Sequence, residues 1–329
     1  MSFFQRHGLA LVALITLFST PCFAQVATPP LDPSQPVLMP AANSWRYVKG
    51  SNEKDDKRTA TLAMGTNKKV RSNADKSVEW SETGSQGILL AQTENVNIEA
   101  SFIPSQTITQ TSTNPAGAQS ISKSKISGST IGFAYLAKAI SFGASYRTSD
   151  YQPGTQNTEK ETGNGASITA QLANVFFFAW GIEQVKQAET YKSANKWNQS
   201  AYALALMAGK PDETQLRLEY SNLHSPKSVA QITGQKNIHP ETFRTLLSAE
   251  VKMGPILLSY QSDGVRNLEI ATESVPGYNT SNRKIGFGWV PANGLILSLY
   301  QTTETKDSTW SSYQDREGTR SDLNIGYNF

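Results

Sequence analysis

Residues Ser129 to Thr148, STIGFAYLAKAISFGASYRT, alternate in character with a period of two. Ile131, Phe133 and Tyr135 fall on one face of an extended strand, and Gly132, Ala134 and Leu136 on the other. Beyond a turn at Lys138-Ala139, Ile140, Phe142, Ala144 and Tyr146 share one face, while Ser141, Gly143, Ser145 and Arg147 share the opposite one. Side chains alternate across a strand, so this stretch reads as a hairpin with one apolar face and one small or polar face.

The pattern recurs along the chain. Val96, Ile98, Ala100 and Phe102 alternate with Asn97, Glu99 and Ser101, and Phe176, Phe178, Trp180 and Ile182 with Phe177, Ala179, Gly181 and Glu183. Leu216, Leu218 and Tyr220 oppose Gln215, Arg217 and Glu219, and the stretch from Phe243 to Lys252 alternates in the same way. Gly209-Lys210-Pro211-Asp212 and Gly254-Pro255 are strong turn signals. Between the hairpins lie longer segments rich in Ser, Thr, Asn, Gln and Gly, at about 105–127, 150–164, 224–241, 266–282 and 305–320. Short turns at one end and long polar loops at the other are the pattern of a membrane barrel. The expected fold is all-β: a transmembrane, antiparallel, up-and-down barrel of about 14 strands, with 12 or 16 as alternatives, each roughly nine to eleven residues long. The short turns would face the periplasm and the long loops the exterior. A secreted β-sandwich alternates too, with its apolar face inward. The persistent loop asymmetry, the aromatic-heavy apolar face and a final strand ending on an aromatic favour the barrel.

Arg6 and His7 precede an apolar run, Leu9 to Phe18, and Cys22-Phe23-Ala24 stands before Gln25. Residues 1–24 are therefore read as a cleaved signal peptide, which implies export. The single cysteine, Cys22, leaves with it, so neither disulfides nor a thiol nucleophile is expected in the mature chain. Residues 25–75 begin with a proline-rich stretch and turn polar. They are read as a periplasmic leader or a plug, with Thr59 to Met64 as a possible short strand, and residues 76–329 as the barrel. A formal net charge of +3, with Lys and Arg dispersed, gives no footprint for nucleic acid.

The closing residues Ile325-Gly326-Tyr327-Asn328-Phe329 resemble the terminal strand of bacterial outer-membrane β-barrel proteins. The resemblance covers roughly residues 76 to 329 and is to the superfamily, porin-like, rather than to one family. It implies insertion by the barrel-assembly machinery, with Tyr327 and Phe329 as the assembly signal. It also implies an outer membrane of the Gram-negative type, contact with its lipid and lipopolysaccharide, and possible homo-oligomerisation. Tyr146, Tyr220, Tyr260, Trp289 and Tyr327 would supply aromatic belts at the membrane boundaries.

The polar face would line the lumen with Glu99, Glu183, Glu219, Glu250 and Asp263, and with Arg147, Arg217, Arg244, Lys252 and Lys284. Charges there set a transverse field in a water-filled pore, or pair with one another and brace the lumen. The near parity of signs predicts weak ion selectivity, shifted toward cations if Arg217 and Arg244 become Glu. No catalytic, cofactor-binding or metal-binding residues are expected. Beyond residue 24 the histidines are His224 and His239, both in an expected loop, and no phosphate-binding or metal-ligand spacing is present. Asn114-Pro115-Ala116 matches a tripeptide of long-chain fatty-acid transporters, but there it lies near the N-terminus and here in an expected loop, so the match is treated as chance. The expected function is a weakly selective diffusion channel for ions and small polar solutes. The alternatives are a transporter for hydrophobic or sugar-like substrates and a non-conducting anchor or adhesin.

Overall fold

The computed structural model describes residues 59–328, apart from positions 74, 94, 138, 153–157, 173–174, 189–194, 210–213, 227–238, 271–277, 290–294 and 309–315. Fourteen antiparallel strands follow one another in space as they do in sequence. They are β1 (Thr59–Asn73), β2 (Val78–Gln92), β3 (Val96–Thr113), β4 (Gln119–Leu136), β5 (Ile140–Gln152), β6 (Glu159–Leu172) and β7 (Phe176–Ala188). The second half comprises β8 (Asn195–Gly209), β9 (Thr214–Pro226), β10 (His239–Met253), β11 (Ile256–Ile270), β12 (Tyr278–Trp289), β13 (Leu295–Ser308) and β14 (Arg316–Asn328). Pairing of β1 with β14, from Thr61↔Asn328 to Asn73↔Arg316, closes the sheet on itself. Closure leaves no edge strand and satisfies the ladder without water, which a sheet in lipid requires. It also removes the sandwich alternative.

The alternation sorts the two faces as expected. Leu62, Met64, Leu89, Ile131, Phe133, Phe142, Phe178, Leu204, Leu247, Ile285, Leu299 and Ile325 are exposed, and they come from strands all around the barrel. Their strand neighbours Ala63, Leu90, Gly132, Ala134, Ala203, Ser248, Lys284, Ser298 and Asn324 are buried. An exposed apolar surface on every side has no partner in water and is what a bilayer covers. The five aromatics expected in belts all point outward, but only Trp289 and Tyr327 lie near the short-turn end; Tyr146, Tyr220 and Tyr260 stand further along their strands.

Five sequence readings need correction. The barrel starts at Thr59 rather than at residue 76, because Lys69, Arg71 and Asn73 are inward residues of β1 and not part of a leader. The sequence pattern suggests a first strand at Val78 and Trp80 and another from Gly87 to Thr93, but β2 contains Val78, Trp80 and Gly87 to Gln92, so the fourteen strands expected and the fourteen found are not the same set. The strands are 12 to 18 residues long, longer than the bilayer needs. The segment 105–127 is accordingly no loop: β3 and β4 continue through it and turn at 114–118. There the amide of Ala118 donates to Asn114 Oδ1 at 2.8 Å, so Asn114 of the Asn-Pro-Ala tripeptide shapes a turn. His224 and His239, expected in a loop, lie in β9 and β10.

β3 also carries a bulge. Its register with β4 slips between Ile103 and Gln106, and its register with β2 between Gly84 and Gly87, which face Gln106 and Phe102; Pro104, in the middle, has no amide to give to the ladder. The extra residue flips the parity: Asn97 and Glu99 point inward before it, Gln106 after it. At the short-turn end, Gly254 (φ +56°) makes the two-residue link from β10 to β11 in a conformation that costs other residues energy. At the opposite end, the amide and hydroxyl of Ser77 both donate to Asp75 and hold its carboxyl below the usual carboxylate range. The expected signal peptide at residues 1–24, the proline-rich stretch, Lys138, residues 210–212 and Phe329 lie outside the described residues.

Candidate functional site: the inner face of the barrel

Glu99, Arg147, Glu183, Arg217, Glu219, Arg244, Glu250, Lys252, Asp263 and Lys284 all sit at inward positions of their strands. The structure gathers most of them into three groups of ion pairs. In the first, Arg147 on β5 donates from Nε to Glu183 on β7 at 2.9 Å and pairs with Glu161 on β6 at 2.6 Å. Gln199 on β8 donates to the same Glu183 carboxylate. In the second, Arg217 on β9 lies between Glu219 (3.0 Å) and Glu250 of β10 (2.6 Å), its direct cross-strand neighbour. In the third, Arg244 on β10 donates Nε and Nη2 to both oxygens of Asp263 on β11, at 2.7 to 3.1 Å. Lys284 on β12 stands over the Tyr300 ring, 4.3 Å from its centre.

Further inward contacts involve residues the sequence reading passed over. Lys69 and Arg71 of β1 reach Glu304 of β13, and Arg71 also pairs with Glu82 at 3.3 Å. Gln106 donates to Glu82. Arg320 pairs with Asp322 on its own strand and contacts Gln86 of β2 at 3.4 Å. Lys69, Arg71, Glu161 and Arg320 fell in segments read as leader or loop, and Glu304 stands just before the 305–320 segment. Asp322 shares the inward face of the last strand with Asn324 and Gly326, and parity alone would have found it.

Several of these contacts skip a strand. Arg147 and Glu183 meet across β6, Lys69 and Glu304 across β14, and Arg320 and Gln86 across β1. Neighbouring strands are about 4.8 Å apart, so such partners start roughly 10 Å from each other and meet only where side chains converge over a concave wall. The strand between must also stay low. Opposite Arg147 in the ladder stands Gly163, where a Cβ would run into the Glu183 carboxylate and Arg147 Cγ. The inner charges are thus largely withdrawn from solvent: Glu183 is 3% and Asp322 1% exposed. A carboxylate so buried is sustained only by paired, hydrogen-bonded cations.

Around this network the inner wall is apolar in two patches: Phe177, Ala179, Ala203, Ala205 and Met207 on β7 and β8, and Ala63, Ile88 and Leu90 on β1 and β2. A cavity of about 140 Å³ lies on the inner side of β10–β14 and β1. Among the described residues its charged lining comprises Lys69, Arg244, Lys284 and Arg320 against Asp263, Glu304 and Asp322, one cation in excess.

A closed barrel with an apolar outer surface and a braced, charged interior is the architecture of outer-membrane β-barrel proteins, and comparison with solved structures gives the same fold. The chain is similar in fold to a FadL homologue of Pseudomonas aeruginosa, with 11% identity, 92% of this chain and 96% of that one covered, and a TM-score of 0.54. It is likewise similar to the toluene transporter TbuX of Ralstonia pickettii (7% identity, 94% and 99% covered, TM-score 0.52). The toluene transporter TodX of P. putida also resembles it (10% identity, 88% and 92% covered, TM-score 0.50). No family model matches the sequence, and no curated protein does.

Proposed function

We propose that this protein is a transport channel of a Gram-negative-type outer membrane that passes small, largely apolar molecules, rather than a general porin. The observation that carries the reading is the state of the inner charges. In a wide aqueous pore they would stand in water; here Glu183, Glu219, Asp263 and Asp322 are buried against their cations. The rest of the inner wall includes apolar patches around Phe177 and Met207 and around Ile88 and Leu90, which are buried to the same degree. Such walls favour solutes that need little hydration. Two of the similar structures are named as toluene transporters, which fits this reading. On it, the chain is exported through residues 1–24 and inserted by the barrel-assembly machinery, with Tyr327 and Phe329 as the signal.

The cavity supports a second reading, a narrow polar path with a mild preference for anions, because its lining carries one cation in excess. Planar-bilayer recording separates the two. The transport reading expects no large, steady ohmic steps in potassium chloride, together with several-fold faster uptake of labelled toluene by cells carrying the protein. Large linear steps would establish a diffusion pore in its place.

A further inference from the structure

On the outer face of β6, β7 and β8 the side chains change character in step. Up β7 they run Phe176, Phe178, Trp180, Ile182, Gln184, Lys186; down β8 from the same level they run Lys196, Asn198, Ser200, Tyr202, Leu204, Leu206. β6 runs Leu172, Ala170, Ile168, Ala166, Asn164, Thr162, Lys160. Each strand passes from apolar through neutral polar to lysine. The ladder places Lys186 directly opposite Lys196, and Lys160 is diagonal to Lys186, beside its partner Thr162. All three lysines are exposed. Like charges directly opposite on one sheet face repel, and Asn164, Thr162 and Asn198, the neutral neighbours of Lys186, offer no carboxylate to offset the Lys186–Lys196 pair, whereas Lys160 has Asp150 of β5 opposite it.

Height identifies the counter-charge. Phe176 marks the short-turn end of the outer apolar surface of β7. The ten steps from there to Lys186, at roughly 3.4 Å each on a strand tilted by about 40°, climb about 26 Å. A barrel's apolar band is about 25 Å tall, so the lysines stand where the headgroups of the outer leaflet begin. We infer that the facing pair Lys186 and Lys196 forms a binding site for the phosphorylated sugar headgroup of the outer-leaflet glycolipid, whose acyl chains lie over Trp180, Ile182 and Tyr202. A doubly charged phosphate between two facing ammonium groups converts their repulsion into charge-assisted hydrogen bonds. The inference rests on the outer-membrane part of the proposed function and is independent of what the lumen carries.

Native mass spectrometry of the detergent-purified protein with bisphosphorylated lipid A tests it. The wild type should retain lipid A at least about tenfold better than K186Q/K196Q, while K186R/K196R retains it nearly as well as wild type. Heat-modifiability on gels shows that each variant is folded. Equal retention by K186Q/K196Q would overturn the site, and so would retention of phosphatidylglycerol by the wild type as strong as that of lipid A. Neither result bears on conductance or toluene uptake, so this inference and the transport reading fail separately.

Discussion

At the scale of single residues, Arg217 and Arg244 show why charge on a wall is not the same as charge in a path. Both were expected to set ion preference. Arg217 is buried between Glu219 and Glu250, whereas the Arg244 side chain is 34% exposed with Asp263 as its partner. Replacing Arg217 by Glu would leave three carboxylates together in a low-dielectric wall. Removing one partner of such a buried group typically costs about 3–5 kcal/mol, so R217Q should lower unfolding stability in detergent by that order and R217E by more. Urea unfolding read on heat-modifiability gels checks this; an unchanged midpoint for R217Q would mean that the two glutamates need no counter-ion. The inward residues Glu99 to Lys284 were legible because parity alone assigns a face. Their partners were not, since a sequence gives no cross-strand distance.

At the scale of elements, what could be read depended on whether the period of two continued unbroken. The hairpin of β4 and β5 was fully legible from Ile131 to Arg147. β3 was not, because Pro104 both ends the apparent strand and shifts its parity, hiding Gln106. The outer parts of β3 and β4 carry Thr, Ser, Gln and Lys on both faces, which reads as loop because no apolar face marks them. Glycine placement was equally silent. Gly163 is the low point over which Arg147 reaches Glu183, and G163A should push that pair apart. Its strand geometry tolerates alanine, so the loss should appear as a lower unfolding midpoint with the barrel still formed. G165A offers a comparison on the same inward face, where the nearest atom is a serine hydroxyl rather than the ion pair. Equal effects of the two changes would remove the bracing role.

At the scale of the whole molecule, the fold and the stability of the inner network depend on one assignment, the oily face outward and the polar face inward. The ion pairs that skip a strand follow from it, since only the concave side brings partners two strands apart together. So does the lysine site, which needs the outer face to meet headgroups. Oxygen accessibility of nitroxide labels attached to single cysteines along β13, from Leu295 to Tyr300, tests that assignment most directly in a reconstituted bilayer. Oxygen concentrates in lipid, so the account predicts a period of two with maxima at 295, 297 and 299 and minima at 296, 298 and 300. Maxima at the even positions, or no alternation at all, would contradict it.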